Sequence, residues 1–250
     1  MLSWPNLGTR VTVRYRRPAG SDPPLTDAVG HLLAIDPMVR VRTKTGAVVE
    51  FAPADVVALR SLTDAPVRTS AIRALEHAVA AARPAAELTW LDGWLLRADP
   101  GPALSVNSAI PLDLSARLTA LPGIVDWYER RGLTPRLAVP DRLLALPPAL
   151  VSERTERVLV RDVAASSTQE PQDPPAGATV ADAPDGTRWV GLSVPSEALL
   201  AWGARCGATR AYLEVVDDDT AGVSLAESLG FRLHHRRRYV TARPGGWDTV

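Results

Sequence analysis

Residues 202–231, WGARCGATRAYLEVVDDDTAGVSLAESLGF, leave the chain few choices of local structure. Ala211, Leu213 and Val215 alternate with Tyr212, Glu214 and Val216, and this two-residue period predicts a mostly buried strand over 210–216. Asp217, Asp218 and Asp219 do not suit a continued strand. They suit a turn and a helix N-cap, where a short carboxylate accepts from the free backbone N–H groups of the first turn. Ala221, Leu225 and Leu229 lie four apart, which predicts one apolar helical face. Gly230 takes a left-handed C-cap without steric cost and returns the chain to strand at Phe231.

Length and composition bound the rest. The 250 residues suffice for one large domain or two small ones with a real core. A hydrophobic share of 46% and a charged share of 22% are those of a globular protein. The 28 basic and 28 acidic residues cancel, so no whole-chain field favours nucleic acid or an anionic membrane. Cys206 is the only cysteine, which excludes an intrachain disulfide and a cysteine-built metal site, and the expectation is no metal. The first residues, MLSWPNLGTR, lack a basic stretch followed by an apolar run, and no uncharged apolar run reaches the roughly 18 to 20 residues of a membrane span. A cytoplasmic protein is expected.

Residues 1–62 read as a small all-β unit. RVTVRYR (10–16) alternates Val11, Val13 and Tyr15 against basic and polar residues, a half-buried strand. A Pro/Gly/Asp-rich loop (17–27) precedes AVGHLLAID, VRVRTK and AVVEFAP, the last two joined by a hairpin at Thr45-Gly46. Short strands at this spacing, closed by residues 54–59, predict an SH3-like β-barrel. It carries eight basic residues (Arg10, Arg14, Arg16, Arg17, Arg40, Arg42, Lys44 and Arg60) against five acidic ones (Asp22, Asp27, Asp36, Glu50 and Asp55), a net +3. Its strands supply only two aromatic rings, Tyr15 and Phe51, too few to favour a nucleic-acid platform over a solvated strand face.

A linker (63–69) leads to a helix capped by Ser70, with Ile72, Leu75 and Val79 as its apolar stripe and Arg83-Pro84 as its end. His77 reads as a surface histidine. Residues 87–97 form two strands around Asp92-Gly93, and 104–110 read as another. A helix runs from Ser115 or Leu118 towards Tyr128, interrupted at Pro122-Gly123, and 135–139 return as strand. Trp90, Trp94 and Trp127 read as core rings that could also line a pocket. Residues 141–150 read as a short Pro-bounded helix and 154–162 as a strand. Residues 164–188 have no apolar period and read as a long irregular connector, either plain disorder or the scar of lost structured residues.

With these elements in place, the chain resembles the GNAT superfamily of acetyl-CoA-dependent N-acetyltransferases preceded by a small barrel. The closing pattern carries the resemblance: Asp219 stands where the family has Asn, Leu225 at its Leu, Ala226 at its Tyr, and Leu229-Gly230-Phe231 match. The segments GWLLR, VNSAI and WYERRGL resemble the amino-terminal half of the same group. The resemblance implies a mixed α+β, α/β architecture over 70–242, with a tail at 243–250. It implies acetyl-CoA as co-substrate, held by Leu192, Ser193 and Val194 with Asp219 and Leu225, and a small-molecule or protein amine as acceptor. No membrane partner is expected.

The same comparison implies losses. The family's Arg- and Gly-rich loop holds the coenzyme pyrophosphate on backbone N–H groups at a helix N-terminus. Here WVGLSV (189–194) passes to ALLAWGARCGA (198–208) through Pro195-Ser196-Glu197 alone, and earlier strands of the central sheet also read as missing. Glu197 suits the helix dipole but repels a pyrophosphate. Ala226 cannot donate the proton that the family's Tyr gives to the coenzyme thiolate. No catalytic residue is identified; Glu214 reads as a candidate base or a surface residue. His234 and His235, adjacent in a basic strand (232–239), should face opposite sides and cannot chelate one metal together. That strand reads as a solvated edge, or as a patch for the coenzyme's 3′-phosphate or an acidic partner. A non-catalytic binding module and a basic-barrel nucleic-acid adaptor stand as alternative readings.

Overall fold

The structure, a computed structural model, describes residues 4–5, 7–61, 67–147, 150–164 and 174–243. The chain divides into two compact units, Met1–Pro66 and Val67–Val250. In the first, β1 (Arg10–Arg16), β2 (Leu25–Ala34), β3 (Val39–Thr43), β4 (Val48–Phe51) and β5 (Val56–Ser61) form one antiparallel sheet in the order β4-β3-β2-β1-β5. Alternation places Val11, Val13, Ala28, Leu32, Val39, Val41, Phe51 and Val56 in a single core. Each large apolar side chain buried there contributes roughly 1.5–3 kcal/mol. The opposite face mixes charged side chains with exposed Val29 and Val48, and Arg14 grips Asp27 directly across β1 and β2 through two bonds of 2.8 and 2.9 Å. The predicted loop is shorter than its composition suggests, because β2 begins at Leu25.

In the second unit, α1 (Thr69–Ala82) is followed by β6 (Glu87–Leu91) and β7 (Trp94–Ala98), turned at Asp92 and Gly93 with φ of 43° and 84°. Two successive left-handed residues give the tight turn whose twist matches the strands, as Asp-Gly predicts. β8 is only Ile110–Pro111; the predicted strand over 104–110 is instead a 3-10 turn at Leu104–Val106, held by Asn107, whose Nδ2 donates to the Gly101 carbonyl at 2.6 Å. α2 (Leu121–Glu129) is not interrupted at Pro122, which sits in its first turn, where a missing N–H removes no bond. Residues 141–144 form a turn and 145–147 are irregular rather than helical as predicted, with 148–149 outside the described residues.

The larger sheet runs β11-β12-β13-β10-β14-β9, from β9 (Arg136–Pro140), β10 (Arg154–Asp162), β11 (Ala178–Asp182), β12 (Arg188–Leu192), β13 (Arg210–Val216) and β14 (Arg232–Thr241). One correction follows. The connector is not irregular throughout, since it contains β11, though 165–173 lie outside the described residues. The central sheet has six strands among the described residues. β12 and β13 are parallel, joined by α3 (Glu197–Arg205); the other neighbours are antiparallel. The sheet is sandwiched. α3 and α4 (Thr220–Ser228) cover one face with Leu200, Trp202, Val223 and Ala226 against Leu159, Leu192 and Leu213. α1 covers the other with Leu75 and Val79 against Val158, Val160, Trp189 and Tyr212. β9 joins the smaller sheet through Ala109, which donates to the Arg136 carbonyl and accepts from Ala138, each at 2.8 Å. Among the described residues no helix is long and apolar enough to cross a membrane.

Candidate functional site

The parallel pair β12–β13 stops at Leu192 opposite Leu213, while β13 runs on through Glu214, Val215 and Val216. On its far side β13 stays paired to β10 as far as Glu156 opposite Val216. The two parallel strands therefore part at this point, leaving the β12-facing backbone edge of residues 214–216 without a strand partner. β12 passes into Ser193, whose N–H bonds outward to the Gly177 carbonyl at 2.8 Å, then Val194, 55% exposed, and α3.

Of the five residues expected to hold the coenzyme, Leu192, Ser193 and Val194 stand at this opening, with Leu192 buried in the core and the other two exposed. Asp219 caps α4, accepting from Gly222 N at 2.9 Å, so its carboxylate is occupied. Leu225 is 53% exposed. The predicted apolar face of α4 is rotated: Val223 and Ala226 are buried instead of Ala221 and Leu225, because glycine at 222 and alanine at 226 let the helix lie close against β13. Ala226 presents a methyl group to the core. At the N-terminus of α3 one backbone N–H is capped and a carboxylate stands beside it. Ser196 Oγ accepts from Leu199 N, and Glu197 bonds Arg161 at 2.5 Å.

Beneath α1 the same sheet carries a buried network of charge. Arg237 on β14 donates through Nη2 to both Glu76 oxygens (2.9 and 2.8 Å), and through Nη1 to Glu156 (3.2 Å) and Glu214 (2.5 Å). Arg83, at the end of α1, pairs with Glu214 from the other side. Glu76 also meets His235 Nε2 at 2.6 Å, and His235 Nδ1 lies 2.8 Å from His234 Nδ1. Tyr239 donates to Glu156 at 3.1 Å.

Electrostatics sort these groups. Burial raises the Glu76 carboxyl, but the Arg237 guanidinium and then His235 outweigh it and bring it down to about 2. Glu214 is likewise pushed up by burial and held below its usual range by Arg237 and Arg83. Such a doubly paired carboxylate is a weak base, and its side chain is only 7% exposed, so Glu214 is neither the surface residue nor the free base expected. Glu156 goes the other way: burial raises it more than Arg237 lowers it. Burial, His235 and Arg210 depress His234 to about 3.

Three further expectations are overturned here. β14 is not an edge strand, because β10 and β9 pair with its two sides. His234 and His235 do not face apart: Val158 pairs with His235 and Leu159 with Leu233, so His234 is the extra residue of a β-bulge and both rings are buried together. Trp90 is 55% exposed and stacks near His77, while Trp94 and Trp127 are core. Among the described residues no group of three or more His, Cys, Asp or Glu could hold a metal. The sequence did carry a signal for the network. Glu76 lies in the stripe Ile72, Leu75, Glu76, Val79, and Arg237 keeps the two-residue phase of His235 and Tyr239.

Comparison with known proteins fits this picture. Residues 5–60 match the Rv0428c N-terminal Sm-like domain, and residues 69–176 and 169–240 match the probable histone acetyltransferase Rv0428c C-terminal domain. The "Probable histone acetyltransferase Rv0428c" of Mycobacterium tuberculosis is 56% identical, with all of both chains covered. That alignment spans 306 positions, so 306 less this chain's 250 residues leaves at least 56 positions to which this chain contributes nothing. The break in the family match at 169–176 falls between β10 and β11. Two solved structures are also similar: a GCN5-related N-acetyltransferase from Kribbella flavida (11% identity, 72% of this chain and 98% of that one, TM-score 0.44), and one from Sphaerobacter thermophilus (13%, 74% and 98%, TM-score 0.31).

Proposed function

Because the chain belongs to the family of the probable histone acetyltransferase Rv0428c, we propose that it is an acetyl-CoA-dependent N-acetyltransferase whose hold on the coenzyme pyrophosphate is weakened. The observation that carries this is the parting of β12 and β13 after Leu192 and Leu213. The edge of residues 214–216, except the Val216 carbonyl, which accepts from Asp219 N, and the turn at Ser193 and Val194 offer backbone groups to the amides of a pantetheine arm, as a neighbouring strand would. The co-substrate supplies an activated thioester. A neutral amine forms the new C–N bond as the C–S bond breaks, and the amine's proton leaves to water or a nearby base.

The chain's own residues set limits on that chemistry. Ala226 carries no proton, so the departing thiolate is protonated from solvent. At α3 the fit to a pyrophosphate is poor, because Ser196 already caps the helix and Glu197 places a carboxylate, paired with Arg161, where the helix dipole would draw the phosphates. The acceptor is an amine of a small molecule or of a protein; the relative is named for histones. Calorimetry with acetyl-CoA and desulfo-coenzyme A tests the reading. Micromolar binding supports it. No binding at millimolar ligand by a folded chain retires it in favour of a non-catalytic binding module, the reading that Glu197 and Ala226 favour.

A further inference from the structure

Beside the buried charge network stands a guanidinium with nitrogens unpartnered among the described residues. Glu76, Glu156 and Glu214 are each bonded by Arg237, with His235, Tyr239, Arg154 and Arg83 as further partners. Arg97, on β7, is 3% exposed, and neither its Nε nor its Nη1 has a hydrogen-bond partner among the described residues. Burial, with the nearby Arg237 charge, pulls its pKa down, yet a guanidinium stays protonated at neutral pH. The Glu76 charge opposes that shift, but a buried N–H left without an acceptor is costly, and native folds retain one where something answers it.

Its surroundings show what answers. β7 and β8 pair at Leu95 opposite Ile110, and two residues further along each chain bring Arg97 level with Ser108. The strand pairing does not continue there. Tyr128 takes its place: Arg97 N donates to the Tyr128 hydroxyl at 3.2 Å, and that hydroxyl donates to the Arg97 carbonyl at 3.0 Å. Ser108 is fully buried, and its Oγ also has no partner among the described residues. Two guanidinium nitrogens and a hydroxyl, buried and without partners among the described residues, stand at one level of the sheet beside an apolar cluster that includes Leu95, Ile110 and Ala138.

We propose that Arg97 and Ser108 form a buried anion subsite that takes the carboxylate of the acceptor. A carboxylate carries one charge, can accept from guanidinium and hydroxyl together, and suits apolar walls. A phosphate, with up to two charges, meets a desolvation penalty that grows with charge. The carboxylate itself rests only on the side chains described; its belonging to the acceptor rests on the acetyltransferase reading.

The test is thermal melting of the full chain at constant ionic strength, with sodium formate or acetate exchanged for chloride and no coenzyme present. A ligand that binds only the folded state raises the midpoint in proportion to its saturation. The expected result is a carboxylate-specific rise, lost in Arg97→Gln and reduced in Ser108→Ala. No rise over chloride, or an equal rise in Arg97→Gln, overturns the subsite, and an equal rise with phosphate overturns its assignment to carboxylate. If Arg97→Gln does not fold, Ser108→Ala and the line width of ¹³C-acetate in the wild type decide instead. With acetyl-CoA added, an amino acid should be acetylated at least tenfold faster than its amide, and Arg97→Gln should erase that preference. Equal rates overturn the acceptor assignment. A chain that acetylates nothing but keeps the Arg97-dependent rise overturns the enzymatic reading and leaves the subsite standing.

Discussion

At the residue scale, Arg237 and the two histidines beside it concentrate the largest electrostatic costs in the second unit. Arg237 is 2% exposed and bonds three carboxylates, so truncating it strands buried negative charge rather than removing one bond. Arg237→Met should therefore destabilise the chain by about 3–5 kcal/mol. Arg237→Lys should rescue little of this, because an ammonium cannot reproduce the planar fork that meets Glu76. Chemical denaturation checks both; a Lys variant as stable as wild type would contradict the geometry. His234 makes a pH prediction. Its pKa is about 3 in the fold against an ordinary 6.5, so between those values the unfolded chain binds a proton the native state does not. The stability His234 contributes is thus complete above pH 6.5 and is lost progressively as pH falls towards 3. Glu76, at about 2 against 4.5, adds a loss of the same sign that begins only near pH 4.5. Melting temperatures of His234→Asn measured from pH 8 down to 4.5 should fall less steeply than those of wild type; parallel curves would remove His234 from the account.

At the scale of elements, α3 is where a single side chain bears on ligand binding. Glu197 strengthens the helix through its dipole and through Arg161, and it opposes a phosphate at the same place. Glu197→Gly should tighten acetyl-CoA binding roughly three- to tenfold, consistent with the ~1 kcal/mol size of helix-terminal charge effects, while lowering the melting temperature slightly. Calorimetry reads the first and a thermal scan the second; unchanged affinity would mean the coenzyme does not approach this terminus. The same helix packs through Gly203, where an added Cβ would lie 2.6–2.8 Å from the Val190 side chain. Gly203→Ala should cost about 1–3 kcal/mol by overpacking, seen as a lower denaturation midpoint with an unchanged slope.

For the whole molecule, each of the two units has its own apolar core. Residues 67–250 expressed alone should therefore melt cooperatively and keep whatever acetyl-CoA affinity the full chain has; loss of that affinity would implicate the first unit in the site. What could be read along the chain was whatever is local. The Asp-Gly hairpin, the Asp219 cap and the apolar stripe of α1 depend on residues a few positions apart, so pattern alone determined them; the Ser70 cap expected for α1 does not form, since the helix begins at Thr69 with no side-chain cap bond. The buried site was decided elsewhere. Glu76 and Arg237 stand 161 residues apart; the bulge at His234 exists only because β10 lies beside β14, and the rotated face of α4 only because β13 admits small residues closely. The opening after Leu192 arises because β12 ends three residues before its parallel neighbour. A residue's type and its neighbours fix its propensity, but whether a charge is buried, and which group answers it, depends on strand partners that only the folded chain brings together.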